Sequence, residues 1–153
     1  ARRRFQFSVD IAASDDNALC DRYLTRETNA LDRPWSRLFG EGTGWCNPPY
    51  SAVDPWLAKA VDEARNGFSS VFLIPTPNGE ERYGTRVLGV ASEVIFITGR
   101  LAFLTPAGVP VTGNTRGSCP VVYCAHDLGD TRYRHVLRDD MAREAGVGVG
   151  ATA

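Results

Sequence analysis

Gly42-Thr43-Gly44-Trp45-Cys46-Asn47-Pro48-Pro49-Tyr50-Ser51 is the stretch on which the reading of this 153-residue chain turns. Two consecutive prolines fix two φ angles and remove two N–H donors. The backbone from Asn47 to Pro49 is therefore a stiff, non-helical turn that offers carbonyls rather than amides. The short run before it, apolar at its end, reads as a strand feeding that turn. Asn47 then stands where strand becomes loop, at the carboxyl edge of a sheet, which is where open α/β folds hold their ligands.

Working outward, Asp54 and Pro55 take the N-cap and first position of a helix. Leu57, Ala60, Val61 and Ala64 recur at i, i+3, i+4, i+7, and Gly67 stops the helix. Val71-Phe72-Leu73-Ile74 is a continuous apolar run of strand length, expected to be a central parallel strand covered on both faces. Strand, turn, helix and strand then form one right-handed crossover. On the other side, Phe5, Phe7, Val9 and Ile11 alternate with polar residues, as in a strand with one buried face, and Ala12-Ala13-Ser14 follow its end. Asp15 or Asp16 is placed to cap a short helix from Asn17 to Leu24, with Leu19, Cys20 and Tyr23 on one face. Thr25 to Gly44 is polar, anchored by Leu31, Trp35, Leu38 and Phe39, and too short for two more strands with their helices.

Beyond the central strand, Pro75-Thr76-Pro77-Asn78-Gly79 makes a rigid loop at the same edge of the sheet as Asn47. Glu80 to Ala91 reads as a second crossover helix with Tyr83, Val87 and Val90 inward, and Glu93 to Ile97 as another buried strand turned at Gly99-Arg100. Leu101 to Leu104 and Cys119 to Cys124 are expected to form an antiparallel end of the sheet. Asp130 to Ala145 reads as a terminal amphipathic helix, and 146–153 as a disordered tail after a single domain over 1–145.

The formal net charge of −1 argues against a protein that grips nucleic acid by bulk charge, though a local basic face remains open. Lys59 is the only lysine; the arginines suit bidentate contacts to phosphate or guanine, or reflect a coding bias. Arg2-Arg3-Arg4 reads as a phosphate contact or a solvated terminus. No apolar run approaches a membrane span and no signal-peptide pattern is present, so a cytoplasmic place is expected. Cys20, Cys46, Cys119 and Cys124 include no Cys-x-x-Cys pair and no histidine at ligand spacing. They read as small buried apolar residues, and no metal is expected. His126 and His135 show no partner spacing.

An exocyclic amino group on a flat ring, such as N6 of adenine, is a poor nucleophile because its lone pair is delocalised. If the Asn47 side-chain oxygen and the Pro48 carbonyl each accept one of its hydrogens, the lone pair is turned out of the ring plane and can attack a sulfonium methyl. Tyr50 would offer a face for the base, a contact worth about 1–3 kcal/mol. No strong general base is needed, since proton loss can follow transfer.

Asn47-Pro48-Pro49-Tyr50 resembles the catalytic motif of amino-group methyltransferases that use S-adenosylmethionine. Phe7 to Ser14, Asn17 to Cys20, Trp45 to Ser51, Leu73-Ile74-Pro75 and Gly99 to Phe103, in that order and spacing, resemble the phage DNA N-6-adenine methyltransferase (Dam-like) family. The resemblance implies an abbreviated Rossmann-like methyltransferase fold: a mainly parallel sheet with antiparallel strands at one end and helices on both faces. It implies transfer of a methyl group to N6 of a flipped or unpaired adenine in DNA, in a bacterial host cell with phage or prophage origin. It assigns catalysis to Asn47, Pro48 and Tyr50, and cofactor contact to Asp10, Ala12, Ala13, Ser14 and Asn17. Substrate contact falls to Pro49, Pro75, Arg100 and Arg116, the last in a Gly- and Pro-rich loop from Thr105 to Ser118 that is the candidate DNA-facing loop. An Asp10 that caps the next helix, an Asn17 that is merely an exposed amide and an Arg100 in a structural ion pair are the competing readings. Competing functions are methylation of another planar amino group, in RNA or on protein glutamine, and a noncatalytic nucleic-acid-binding domain.

Overall fold

The apolar run at 71–74 lies third in a six-stranded sheet whose neighbours explain why it is apolar throughout. The computed structural model describes residues 4–76, 85–101, 103–105, 107–111 and 117–140. In chain order the elements are β1 (Val9–Asp10), α1 (Trp35–Phe39), β2 (Thr43–Cys46), α2 (Val53–Arg65), β3 (Ser69–Pro75), β4 (Glu93–Thr98), β5 (Phe103–Leu104), β6 (Pro110–Val111), β7 (Ser118–Tyr123) and β8 (Arg132–Leu137). The sheet order is β1-β2-β3-β7-β4-β8, and β5 pairs with β6 as a separate hairpin. β1, β2 and β3 are mutually parallel, as are β4 and β8, and β7 runs against both of its neighbours.

The antiparallel element therefore sits inside the sheet rather than at one end, and Phe103–Leu104 pairs with β6 outside it. Pro120 marks the reason that the sheet opens beside β7. The β4–β7 ladder stops at Val94↔Val121. The next position on β7 has no N–H to give, and from there on β4 is paired only along its other edge, where β8 follows its whole length.

One face of the sheet is covered by α2, which buries Val53, Leu57, Ala60, Val61 and Ala64 against Phe68, Phe72 and Ile74. The helix starts one residue before the expected cap: Asp54 lies in its first turn and pairs with Arg86 instead of capping. It ends as expected at Gly67 (φ +96°). There the Phe68 N–H donates to Glu63 O (2.9 Å) and the Gly67 N–H to Ala64 O (3.2 Å), which satisfies two terminal carbonyls. α1 lies on the same face, locked to α2 by buried Glu63. Its carboxylate receives Lys59 Nζ at 2.7 Å and the Ser36 N–H at 2.8 Å, while the Trp35 indole donates to Ala30 O at 2.8 Å. α1 and α2 are thus both on one face. The opposite face is packed by Val71, Ile95 and Val122 under Phe5, Trp45 and Val136.

Three other expectations change. The strand expected from Phe5 to Ile11 shrinks to Val9–Asp10 because the chain bends at Ser8. Phe5 and Phe7 stack toward Trp45, whereas Val9 and Ile11 join the α2-side core. Gly42 lies close to this bend: a Cβ there would stand 2.2 Å from Ser8 Oγ and the hydroxyl would have to turn away. No helix forms over 17–24: that segment folds back so that Asp10 N–H donates to Arg22 O (2.9 Å) and Leu24 N–H to Asp10 O (2.8 Å). This pairing satisfies backbone groups on the open edge of β1 and leaves Leu19 exposed. Arg132 to Leu137 is an edge strand, not the start of a helix. The second crossover helix is not formed over 85–91, which is a turn around buried Val87; its earlier part, including Tyr83, lies outside the described residues, as do the Asn78-Gly79 loop and 141–153.

Candidate active site

Because β1, β2 and β3 are parallel and in register, their carboxyl ends meet at one edge. Asp10 pairs with Trp45, two residues before Asn47, and Pro75 pairs with Ser118 at the start of β7. Asn47 is exposed at the end of β2, while Pro48 is buried and pins the turn beneath it. Pro49 is exposed and extended (ψ 122°), and its carbonyl accepts the Ala52 N–H at 3.1 Å. That bond closes a 3-10 turn, Tyr50–Ala52, which runs into α2.

Tyr50 keeps 37% of its surface exposed and is held at two points. Its hydroxyl lies 3.3 Å from Ser118 Oγ, and the Phe103 ring meets it edge-on at 6.1 Å and 80°. Burial pushes its phenol above the ordinary value, with the Ser118 bond opposing, so it is a neutral hydroxyl at neutral pH. Burial likewise pushes the Cys46 thiol well up, with Asp10 adding to it, and raises Cys119 to about 12 against a Thr76 hydrogen bond. Neither is available as a thiolate nucleophile.

At the β1 end, Asp10 is 3% exposed and its two carboxylate oxygens accept the N–H groups of Ala12 (3.3 Å) and Leu19 (3.1 Å). Burial raises its pKa and these two bonds oppose the rise. Ala13 N–H donates to Leu24 O (3.0 Å), and Ser14 N–H to Asn17 Oδ1 (2.7 Å). The amides of residues 12–14 are all used within the chain. The turn after β1 is thus no anion nest of the kind that cradles a pyrophosphate. With the half-buried methyls of Ala12 and Ala13 and no free amide at 12–14, it suits a group without phosphate.

The structure brings Asp10, Asn47, Pro48, Tyr50 and Pro75 to one edge, with Ala12, Ala13, Ser14 and Asn17 in the loop beside them. Arg100 is exposed beyond β4, three strand spacings or about 14 Å from β2. No carboxylate among the described residues pairs with it; its carbonyl accepts Arg138 Nη1 at 3.5 Å. Arg116 lies outside the described residues. Two residues escaped the sequence reading as site members. Phe103 was visible only as part of a motif, and Ser118 gave no signal, since nothing local points to a partner 68 residues away.

A mainly parallel α/β sheet sets Asn-Pro-Pro-Tyr at the carboxyl end of β2, beside a β1 that ends in Asp10, the arrangement expected from the resemblance to amino-group methyltransferases. The family model for DNA N-6-adenine-methyltransferase (Dam) matches residues 1–147, and the chain belongs to that family. It is 29% identical over 150 residues to the DNA N-6-adenine-methyltransferase of Escherichia phage T1, covering 86% of this chain and 60% of the relative. It is 25% identical over 100 residues to that of Haemophilus phage HP1, covering 65% of this chain and 56% of the relative. The putative methyltransferase YfdM of Escherichia coli K12 is 42% identical over 52 residues, covering 33% and 53%. The chain therefore spans somewhat more than half the length of these relatives. Among solved structures, a predicted O-methyltransferase, Atu636 of Agrobacterium tumefaciens, aligns with a TM-score of 0.39 and 13% identity over 86% of this chain and 78% of that one. No described helix is long and apolar enough to cross a membrane.

Proposed function

We propose that this chain transfers a methyl group from S-adenosylmethionine to N6 of adenine in DNA, acting on a base flipped out of the duplex or left unpaired. The observation that carries the reading is Asn47: a side-chain amide exposed at the end of β2, two residues past the in-register partner of Asp10 and three before the held ring of Tyr50.

Asn47 Oδ1 and the Pro48 carbonyl accept the two N6 hydrogens and turn the lone pair out of the ring. Tyr50 lies against the base face, and stacking there recovers part of the few kcal/mol that unstacking costs. Pro49 and Pro75 bound the base pocket. Asp10, Ala12, Ala13, Ser14 and Asn17 receive the cofactor, with Asp10 acting by holding its loop. When bound, the cofactor would supply an electrophilic methyl on a sulfonium; the methyl would pass in line to N6 with sulfur leaving as a neutral thioether, and the proton on the product nitrogen would leave afterward. Positioning, without a covalent enzyme intermediate, provides the rate. Arg100 and Arg116 contact phosphate along the DNA strand. The setting is the cytoplasm of a bacterial host.

The test is incubation with labelled S-adenosylmethionine and unmethylated DNA, followed by nucleoside mass spectrometry. N6-methyladenine is expected. Label on RNA or on protein glutamine, with none on DNA, would overturn the substrate. Cofactor binding with no transfer to any of the three would overturn the reaction.

A further inference from the structure

Tyr50 would lose most of its value as a stacking surface if its ring were free to swing. An exposed aromatic must be immobilised at binding, at about 0.5–1.5 kcal/mol for a rotamer-rich side chain. In this protein the ring already has two partners. Ser118 opens β7 opposite Pro75, and it is itself 4% exposed, so its hydroxyl is shielded from solvent. The strand pair is secured just beyond this point, where Thr76 N–H donates to Gly117 O at 2.8 Å. A Cβ on Gly117 would stand 3.0 Å from Thr76 Oγ1, so the two strands lie close here. Ser118 Oγ then meets the far end of the tyrosine at 3.3 Å, while Phe103 bears on the ring edge.

We propose that Ser118 is a positioning residue for the methyl-accepting base: its hydroxyl tethers Tyr50 so that the ring is already set when adenine enters. This rests on the proposed function. The neutral phenol supports it, because Tyr50 keeps its proton and can donate to Ser118 Oγ at any pH the reaction would use. Ser118 touches no substrate; it acts only through the ring.

The experiment is steady-state methyl transfer to unmethylated duplex DNA by the wild type, Ser118→Ala, Ser118→Thr, Tyr50→Phe and the Ser118→Ala/Tyr50→Phe double variant. Cofactor Kd and Tm are measured alongside. Ser118→Ala is expected to raise KM for DNA roughly three- to tenfold, as loss of one net hydrogen bond predicts. Cofactor Kd should stay unchanged. Tyr50→Phe cuts the same bond from the other side without touching β7, so it should give a similar rise, and the double variant should be no worse than either single one. Ser118→Thr should restore wild-type KM. Additive losses, or an unchanged KM in both single variants, overturn the tether while leaving the proposed reaction standing. A wild type that transfers nothing to DNA overturns the reaction and the tether together.

Discussion

At the β1 end of the site, the Asp10 carboxylate is held by amides two and nine residues further on; at the β2 end, Tyr50 is held by a hydroxyl 68 residues away and by a ring on a separate hairpin. The first arrangement closes a short loop of chain, at little entropic cost, and needs only β1 and its flank. The second exists only once β7 has been inserted between β3 and β4. The two halves of the proposed reaction, holding the methyl donor and holding the base, therefore depend on different parts of the fold, and substitutions should separate them.

The widest separation is expected from Asn47→Ala. Removing one of two acceptors for the N6 hydrogens should lower kcat by roughly 10² or more, the scale found when one preorganised polar group is deleted from an active site. Cofactor affinity, measured by calorimetry, should remain near wild type, because no bond from Asn47 supports the 12–19 loop. Full activity in this variant would remove the assigned role. Asp10→Ala should do the reverse. It strands the N–H groups of Ala12 and Leu19 in a partly buried setting, and an unsatisfied donor costs about 1–3 kcal/mol. Cofactor Kd should rise about tenfold to a hundredfold while kcat at saturating cofactor recovers much of its value. A variant with normal Kd would mean that the loop does not need its acid.

The same difference explains what could be read without coordinates. α2 announced itself because its apolar period and its Gly67 stop are local, and Leu57, Ala60, Val61 and Ala64 are all buried. β3 was legible for the same reason. The turn at Asn47 was legible because two prolines leave few conformations. Where tertiary pairing decides, the pattern misled: Leu19, Cys20 and Tyr23 suggested a helical face, yet the segment is spent on the open edge of β1, with Leu19 exposed. Arg132 to Leu137 looked amphipathic, but the edge of β4 away from β7 pairs with it along its whole length, so it is a strand. The Phe5 to Ile11 alternation breaks at the bend at Ser8, whose N–H and hydroxyl both donate to Thr43 O, a pairing that no local period encodes. Ser118 and Phe103 belong to this second group.

A substitution beneath both halves should disturb neither, and Glu63 provides it. Burial alone would push the Glu63 carboxyl up, but the Lys59 ammonium and the Ser36 N–H outweigh that and hold it below its ordinary 4.5. A carboxyl depressed in the folded state contributes stability that is fully present above about pH 4.5 and drains away as pH falls through the lower folded value. Glu63→Gln keeps the shape and an acceptor for Ser36 but loses the charge. At pH 7 it should cost on the order of 1–3 kcal/mol, the range for a charge-assisted bond, read as a lower Tm. The Tm difference from wild type should shrink as pH drops below 4.5, where the wild-type carboxyl gains its proton and the two chains become alike. At pH 7, cofactor Kd and KM for DNA should both stay put. If Glu63→Gln instead raised KM for DNA as Ser118→Ala is expected to do, the corner around Tyr50 would depend on how tightly α1 and α2 are joined. The contrast between a locally closed cofactor loop and a base pocket held by β7 would then have to be redrawn to include the helical face.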